Sequence, residues 1–271
     1  MPPAAPSLLA MPESEPTPPP QVHANTRAFR GASFHYADVS GATFRDCDMR
    51  GVRIVSSFVD GLVVSGFDGK AGPVVIDDVD VSAYVAAELD RRHPERVRLR
   101  DARSADDLRA VWSDLERLWD DTLARAGRLP ETALQERVHG EFSFVETLRH
   151  LVFAVDTWVG GWLHGTAAPF SPLGVPPTDL DPKDWPSIGL DPEARPSSAE
   201  AVALFTDRRE RVREALDEVT DAHLDEPRTS TPVPAWGEET HSVGECLRVV
   251  LEEHCEHRRF AERDLRALAA R

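Results

Sequence analysis

Between residues 27 and 66, apolar side chains recur every five positions: Phe29, Phe34, Val39, Phe44, Met49, Ile54, Val59 and Val64. Neither an α-helix nor a flat strand has that period, because side chains return to one face after 3.6 residues in the first and after two in the second. A square solenoid, which turns a corner every five residues, does have it. Small or modest residues stand two positions before most of the series, at Ala32, Ala37, Ala42, Cys47, Val52 and Ser57. That is the arrangement needed if each packs beneath a larger neighbour. The expectation is a short right-handed β-solenoid of about two coils, with Phe29, Phe34, Phe44, Met49 and Ile54 turned inward.

This pattern resembles the pentapeptide-repeat family, and residues 23–80 are assigned to it. Residues 1–22 are rich in Pro, Ala and Ser and include Pro18, Pro19 and Pro20, a composition expected to be disordered. Leu8, Leu9 and Ala10 lack a basic flank and a sustained apolar run, so no secretory signal is expected.

From residue 104 the period becomes helical. Four segments open with Ser followed three residues later by an acid, the signature of a capping box: Ser104/Asp107, Ser143/Glu146, Ser197/Glu200 and Ser242/Glu245. The predicted helices are 104–127, 143–164, 198–219 and 242–268. The first should bury Leu108, Val111, Trp112, Leu115, Trp119 and Leu123. The second should bury Val145, Leu148, Val152, Val155, Trp158 and Trp162. Phe205, Val212, Leu216 and Val219 serve the third, and Val249, Val250, Phe260 and Leu265 the fourth. Four amphipathic helices of this length imply a mainly α fold, a four-helix bundle over 104–271. Residues 81–103 read as a linker. A Pro-rich loop, 166–196, separates the middle pair of helices and is long enough to have a function.

Net charge is −16 and lysine is confined to Lys70 and Lys183, so no nucleic-acid partner is expected. No apolar run reaches the roughly 18 residues of a membrane span, so no membrane partner is expected either. Cys47, Cys246 and Cys255 form no disulfide framework and no CxxC. Reduced thiols fit a cytoplasmic home.

The fourth helix carries Glu253-His254-Cys255-Glu256-His257. Glu253 and His257, at i and i+4, leave the same face one turn apart and can meet one metal ion. His254 is a rival that needs a different rotation of the helix. His150 stands in an apolar stretch of the second helix, where the ordinary reading is a core histidine. Ala154, Thr157 and Gly161 follow on its face and are small enough to leave a cavity beside it. Glu146 is also i−4 from His150. A di-iron site needs Glu-x-x-His on two helices, though, and the capping box already engages Glu146. Cys246 reads as a small buried residue rather than a ligand.

The segments from Glu141 to Ala154 and from Glu252 to Leu265 resemble the DinB superfamily, and within it the branch of mycothiol-dependent maleylpyruvate isomerase. The resemblance covers about residues 104–268. It implies a four-helix bundle holding one divalent metal on His150, Glu253 and His257, with zinc expected first and nickel, iron or manganese as alternatives. It further implies that a low-molecular-weight thiol, mycothiol-like, is activated as thiolate at the metal and transferred to an electrophile, with no catalytic side chain beyond the ligands. A non-catalytic module is the other reading, with the metal as a staple and the repeat as a capping or oligomerising element, for which a homodimer is the assembly to expect.

Overall fold

The computed structural model describes residues 21–271 apart from 36, 46, 56, 58, 65–72 and 179. The Pro-rich residues expected to be disordered lie almost entirely outside that range. The chain divides into two units, residues 1–57 and 58–271.

The repeat forms a ladder of turns. The carbonyls of Phe29, Val39, Met49 and Val59 accept from the amides of Ala32, Ala42, Val52 and Leu62 at 3.0–3.1 Å. Gly31, Gly41, Gly51 and Gly61 occupy the third position of these turns with φ of +73° to +75°, as a type II turn demands. One such turn therefore recurs every ten residues, once per two pentapeptides. No regular strand occurs among the described residues 21–64. The inward apolar column is also missing: Met49 is 42% exposed, and Phe34 and Phe44 are each 65% exposed. The physical reason is depth. A side chain in a stack of coils is buried only where layers lie above and below it, and a run as short as this repeat would leave nearly every layer at an end.

In the second unit a hairpin, β1 (Val75–Ile76) and β2 (Val79–Asp80), leads into α1 (Ser82–Arg92) and α2 (Pro94–Asp101). These helices occupy the span read as a linker. Pro94 at the start of α2 suits its first turn, and Leu99 with the following Ala102 enters the core against α3.

The rest is dominated by α3 (Ala105–Ala126), α5 (Phe144–Val155), α6 (Ser198–Glu218) and α7 (Val243–Ala269), with a one-turn α4 (Glu131–Leu134) between the first two. All four long helices begin at the expected Ser capping boxes. α3 and α5 each pack on both α6 and α7. Two apolar clusters fill the interior, one around Leu108, Trp112, Leu247 and Leu251, the other around Trp119, Leu148, Phe205 and Leu265. A second hairpin, β3 (Pro227–Ser230) with β4 (Glu239–Ser242), enters α7 directly.

The second predicted helix changes character midway. After Val155 it widens into a π-helical segment, Asp156–Leu163. Gly160 and Gly161 lie there, and a methyl group on either would come within 3 Å of Pro169 or Pro232. Of the small residues expected to open a cavity beside His150, Gly161 instead lets Pro232 close in. No helix among the described residues is long and apolar enough to cross a membrane.

Candidate metal centre

α7 presents two chemically different faces. Leu247, Val250, Leu251, His254 and Cys255 are buried in the interior. Glu253 and His257 leave the side that meets α5. There, Glu253 Oε2 lies 3.1 Å from His257 Nε2 and 3.5 Å from His150 Nε2. One ligand atom from each of the three residues falls within 4.8 Å of the others. Ligands about 2.1 Å from a tetrahedral ion are about 3.4 Å apart, so both separations suit a shared ion without moving a helix.

His150 is buried, and its Nδ1 lies 3.0 Å from the Val175 carbonyl. A carbonyl only accepts, so Nδ1 carries a proton; when the ring is neutral, Nε2 holds the lone pair on the side of Glu253. A lone pair facing a carboxylate oxygen needs a cation between them or a second proton on the ring. Two imidazoles and one carboxylate are the donors a divalent cation takes, and three of them leave a coordination position open.

Electrostatics agree. Burial pushes the Glu253 carboxyl up, but hydrogen bonds from His150 and His257, together with their charges, outweigh it and hold the group below the usual carboxylate range. Burial and the neighbouring His150 lower His257, with Glu253 opposing. Without an ion, protons on the two rings hold the carboxylate; a bound cation would take their place and leave both rings neutral. Aromatic rings line the site: Phe142 and Phe153 lie 5.6 and 6.4 Å from His150, and Phe260 lies 5.7 Å from His257.

The rival residues are engaged elsewhere. His254 is fully buried, packs against Trp112 and Phe205, and its Nδ1 donates to the Val250 carbonyl at 2.8 Å. Burial lowers it to about 4. Glu146 accepts from Arg137 at 2.8 and 2.5 Å and from the Ser143 amide at 2.9 Å. Cys246 is buried, and burial pushes its thiol up to about 11. A groove of about 390 Å³ lies elsewhere, between α2, α3 and α7, lined by Arg98, Asp114, Arg117 and Arg258 among others. Arg98 and Arg117 there are already paired with Asp114. The site is therefore recognised by converging ligand atoms and not by cavity volume.

Sequence reasoning missed the Val175 carbonyl, because a backbone acceptor 25 residues from His150 leaves no trace in residue type. It also missed the buried pair of Asp156 with Arg208, at 2.5 Å. An acid flanked by Val155 and Thr157 in an apolar stretch was the available signal.

Residues 114–261 match the family model described as the DinB superfamily, and residues 28–51 match that of the pentapeptide repeats. No curated protein and no solved structure matches the chain.

Proposed function

The chain belongs to the DinB superfamily, and on that premise we propose that it is a divalent-metal-dependent thiol transferase or isomerase with His150, Glu253 and His257 as its metal ligands. The observation that carries the reading is the convergence of those three ligand atoms within 4.8 Å, with His150 held in the tautomer that frees Nε2. A divalent ion there, zinc first, would supply Lewis acidity that lowers the pKa of a thiol reaching its open position. The chain's own residues orient and enclose: Val175 fixes the His150 ring, Glu253 lies between the two imidazoles, and Phe142, Phe153 and Phe260 limit water at the site. The Glu253-x-x-x-His257 spacing supports the branch of mycothiol-dependent maleylpyruvate isomerase, hence a mycothiol-like thiol and a small electrophile. In this reading α3, α5, α6 and α7 are a four-helix bundle, the repeat is a minimal solenoid, and the protein works in the cytoplasm.

The test is His257→Ala in untagged protein. Wild type should carry about one divalent ion per chain and turn over with one of mycothiol, bacillithiol, glutathione or ergothioneine. The variant should lose both metal and turnover while circular dichroism stays unchanged, because apolar faces and capping boxes already hold the helices. Retained metal and turnover would reject the ligand set. An unfolded variant would favour a second reading, a metal-stapled interaction module. One observation speaks for that reading: the repeat exposes Phe34, Phe44 and Ile54 by more than half, as a protein-binding surface would.

A further inference from the structure

The Asp156–Arg208 pair plays no part in the ligand set, yet it is among the most buried charged groups of the helical unit. Asp156 is 2% and Arg208 6% exposed. The pairing is bidentate: Arg208 Nε and Nη2 donate to the two carboxylate oxygens at 2.5 and 3.2 Å. Asp156 sits where α5 gives way to the π-helical segment, a local irregularity frequent at functional sites. Its Oδ2 also accepts the Ser171 amide at 2.8 Å.

From Ser171 the bonds run without a break to His150. The Gly174 amide donates to the Ser171 carbonyl at 2.9 Å, closing a turn. The Leu173 amide donates to Ser171 Oγ at 3.3 Å. Arg149 Nε donates to the Leu173 carbonyl at 2.7 Å, and the Val175 amide donates to the Arg149 carbonyl at 3.2 Å. The Val175 carbonyl then accepts from His150 Nδ1. Gly174 fits closely, since a methyl group there would stand 3.1 Å from Leu190 and 3.3 Å from the Ser171 carbonyl. Segment 171–175 is thus clamped at both ends.

We infer that Asp156, held by Arg208, is a positioning residue that anchors segment 171–175 so that the Val175 carbonyl selects the Nδ1–H tautomer of His150 and aims its Nε2 at the site. The inference rests on the ligand reading above. It adds that loop 166–196 is a working part of the centre and that its anchor lies outside the ligand shell. A partner that fixes a ligand's tautomer is usually worth about 10- to 100-fold in metal affinity. Asp156 acts one step further out, so about tenfold is expected.

The experiment compares wild type, Asp156→Asn, Arg208→Met and Ser171→Ala with the control Arg209→Met. Arg209 is an equally buried arginine of α6 that bonds to Asp120 at 2.8 Å and makes no bond to the loop. The first readout is the His150 ring by nitrogen-15 NMR in metal-free protein, at a pH alkaline enough to leave the ring neutral. The second is zinc affinity by chelator competition. Wild type should show the Nδ1–H tautomer. Asp156→Asn and Arg208→Met should mix in the Nε2–H form and bind zinc about tenfold more weakly. Arg209→Met should cost stability but move neither readout. Ser171→Ala keeps the amide that Asp156 accepts and removes the Oγ that accepts from the Leu173 amide, the next link of the same chain. It lies on a half-exposed loop and threatens no core, so if the buried variants fail to fold it decides whether segment 171–175 sets the tautomer: both readouts should shift the same way, by less, and an unchanged tautomer overturns the inference. An unchanged tautomer in the folded anchor variants, or equal effects from Arg209→Met, overturns the inference. If wild type binds no zinc, the ligand reading fails by itself and the tautomer measurement still decides this proposal.

Discussion

Phe44 and Phe205 both belong to strictly periodic apolar series, one of period five and one of a helix, yet Phe44 is 65% exposed and Phe205 is 0% exposed. Period sets the path of the backbone; burial depends on how many neighbours that path supplies. In the helical unit each apolar stripe faces two other helices, so Trp119, Phe205 and Leu265 close on one another from separate elements. In the ladder, any next layer must come from the same short run of chain, and that run holds four glycine turns among the described residues. The helical unit is therefore held by its interior, and the ladder by its turns.

The largest expected effect tests the interior directly. Phe205→Ala should destabilise the helical unit by about 3–5 kcal/mol, the usual cost of truncating a buried aromatic ring. Phe44→Ala should cost less than about 0.5 kcal/mol, as surface changes do. Burial of Phe44 would have made even Phe44→Asp costly, and that burial is absent. Urea denaturation followed by tryptophan fluorescence measures the helical unit, which holds all six tryptophans, and scanning calorimetry of Phe44→Ala measures the ladder. A loss at Phe44 as large as that at Phe205 would mean that another surface covers the ladder, and the contrast would fail.

The second effect is smaller and runs the other way. Gly41 has open space around the position a side chain would take, so by volume alone Gly41→Ala should be harmless. Its φ of +73° lies where an L side chain costs roughly 1–2 kcal/mol. Gly41→Ala should thus cost the ladder more than Phe44→Ala, although it adds one carbon and the other removes a ring. Scanning calorimetry of the two variants decides it. A harmless Gly41→Ala would show that the turns do not hold the ladder.

The same division explains what could be read in the sequence. Capping boxes at Ser104, Ser143, Ser197 and Ser242 located four helices because capping is a local act between residues three apart. Glu253 and His257 were legible for a similar reason: one helical turn brings them together whatever else folds around them. The rotation of α7 was not legible from the pair alone, since His254 offered an equal partner. It followed from the stripe of Leu247, Val250 and Leu251, which draws His254 into the interior. Leu247 and Leu251 are absent from the apolar positions predicted for that helix. Least legible was whatever depends on loops. The Val175 carbonyl, the closure of Pro169 and Pro232 on the glycines, and the helices over 82–101 all follow from tertiary packing. The glycines at every tenth position, by contrast, were visible in the sequence, and they mark the turns more sharply than the apolar series does.

The smallest effect uses the three cysteines as reporters, one in the ladder and two in α7. Cys47 is exposed, and Cys246 and Cys255 are buried. Burial pushes the Cys246 thiol up to about 11 and Cys255 further still, so neither offers a thiolate at neutral pH. A disulfide-exchange reagent at pH 8 should therefore modify one thiol per chain at once, and the other two only as fast as the helical unit opens. Cys47→Ser should abolish the fast phase and leave the slow one. The shift also fixes the direction of alkaline stability. A thiol whose folded pKa is raised favours the native state fully below the ordinary thiol value, and that contribution fades as pH rises toward 11. Stability in urea should accordingly decline from about pH 9 upward, and Cys246→Ala should flatten part of the decline. Three thiols reacting together at pH 8 would mean that the helical interior opens as readily as the ladder, and the difference in how the two regions are held would have no dynamic counterpart.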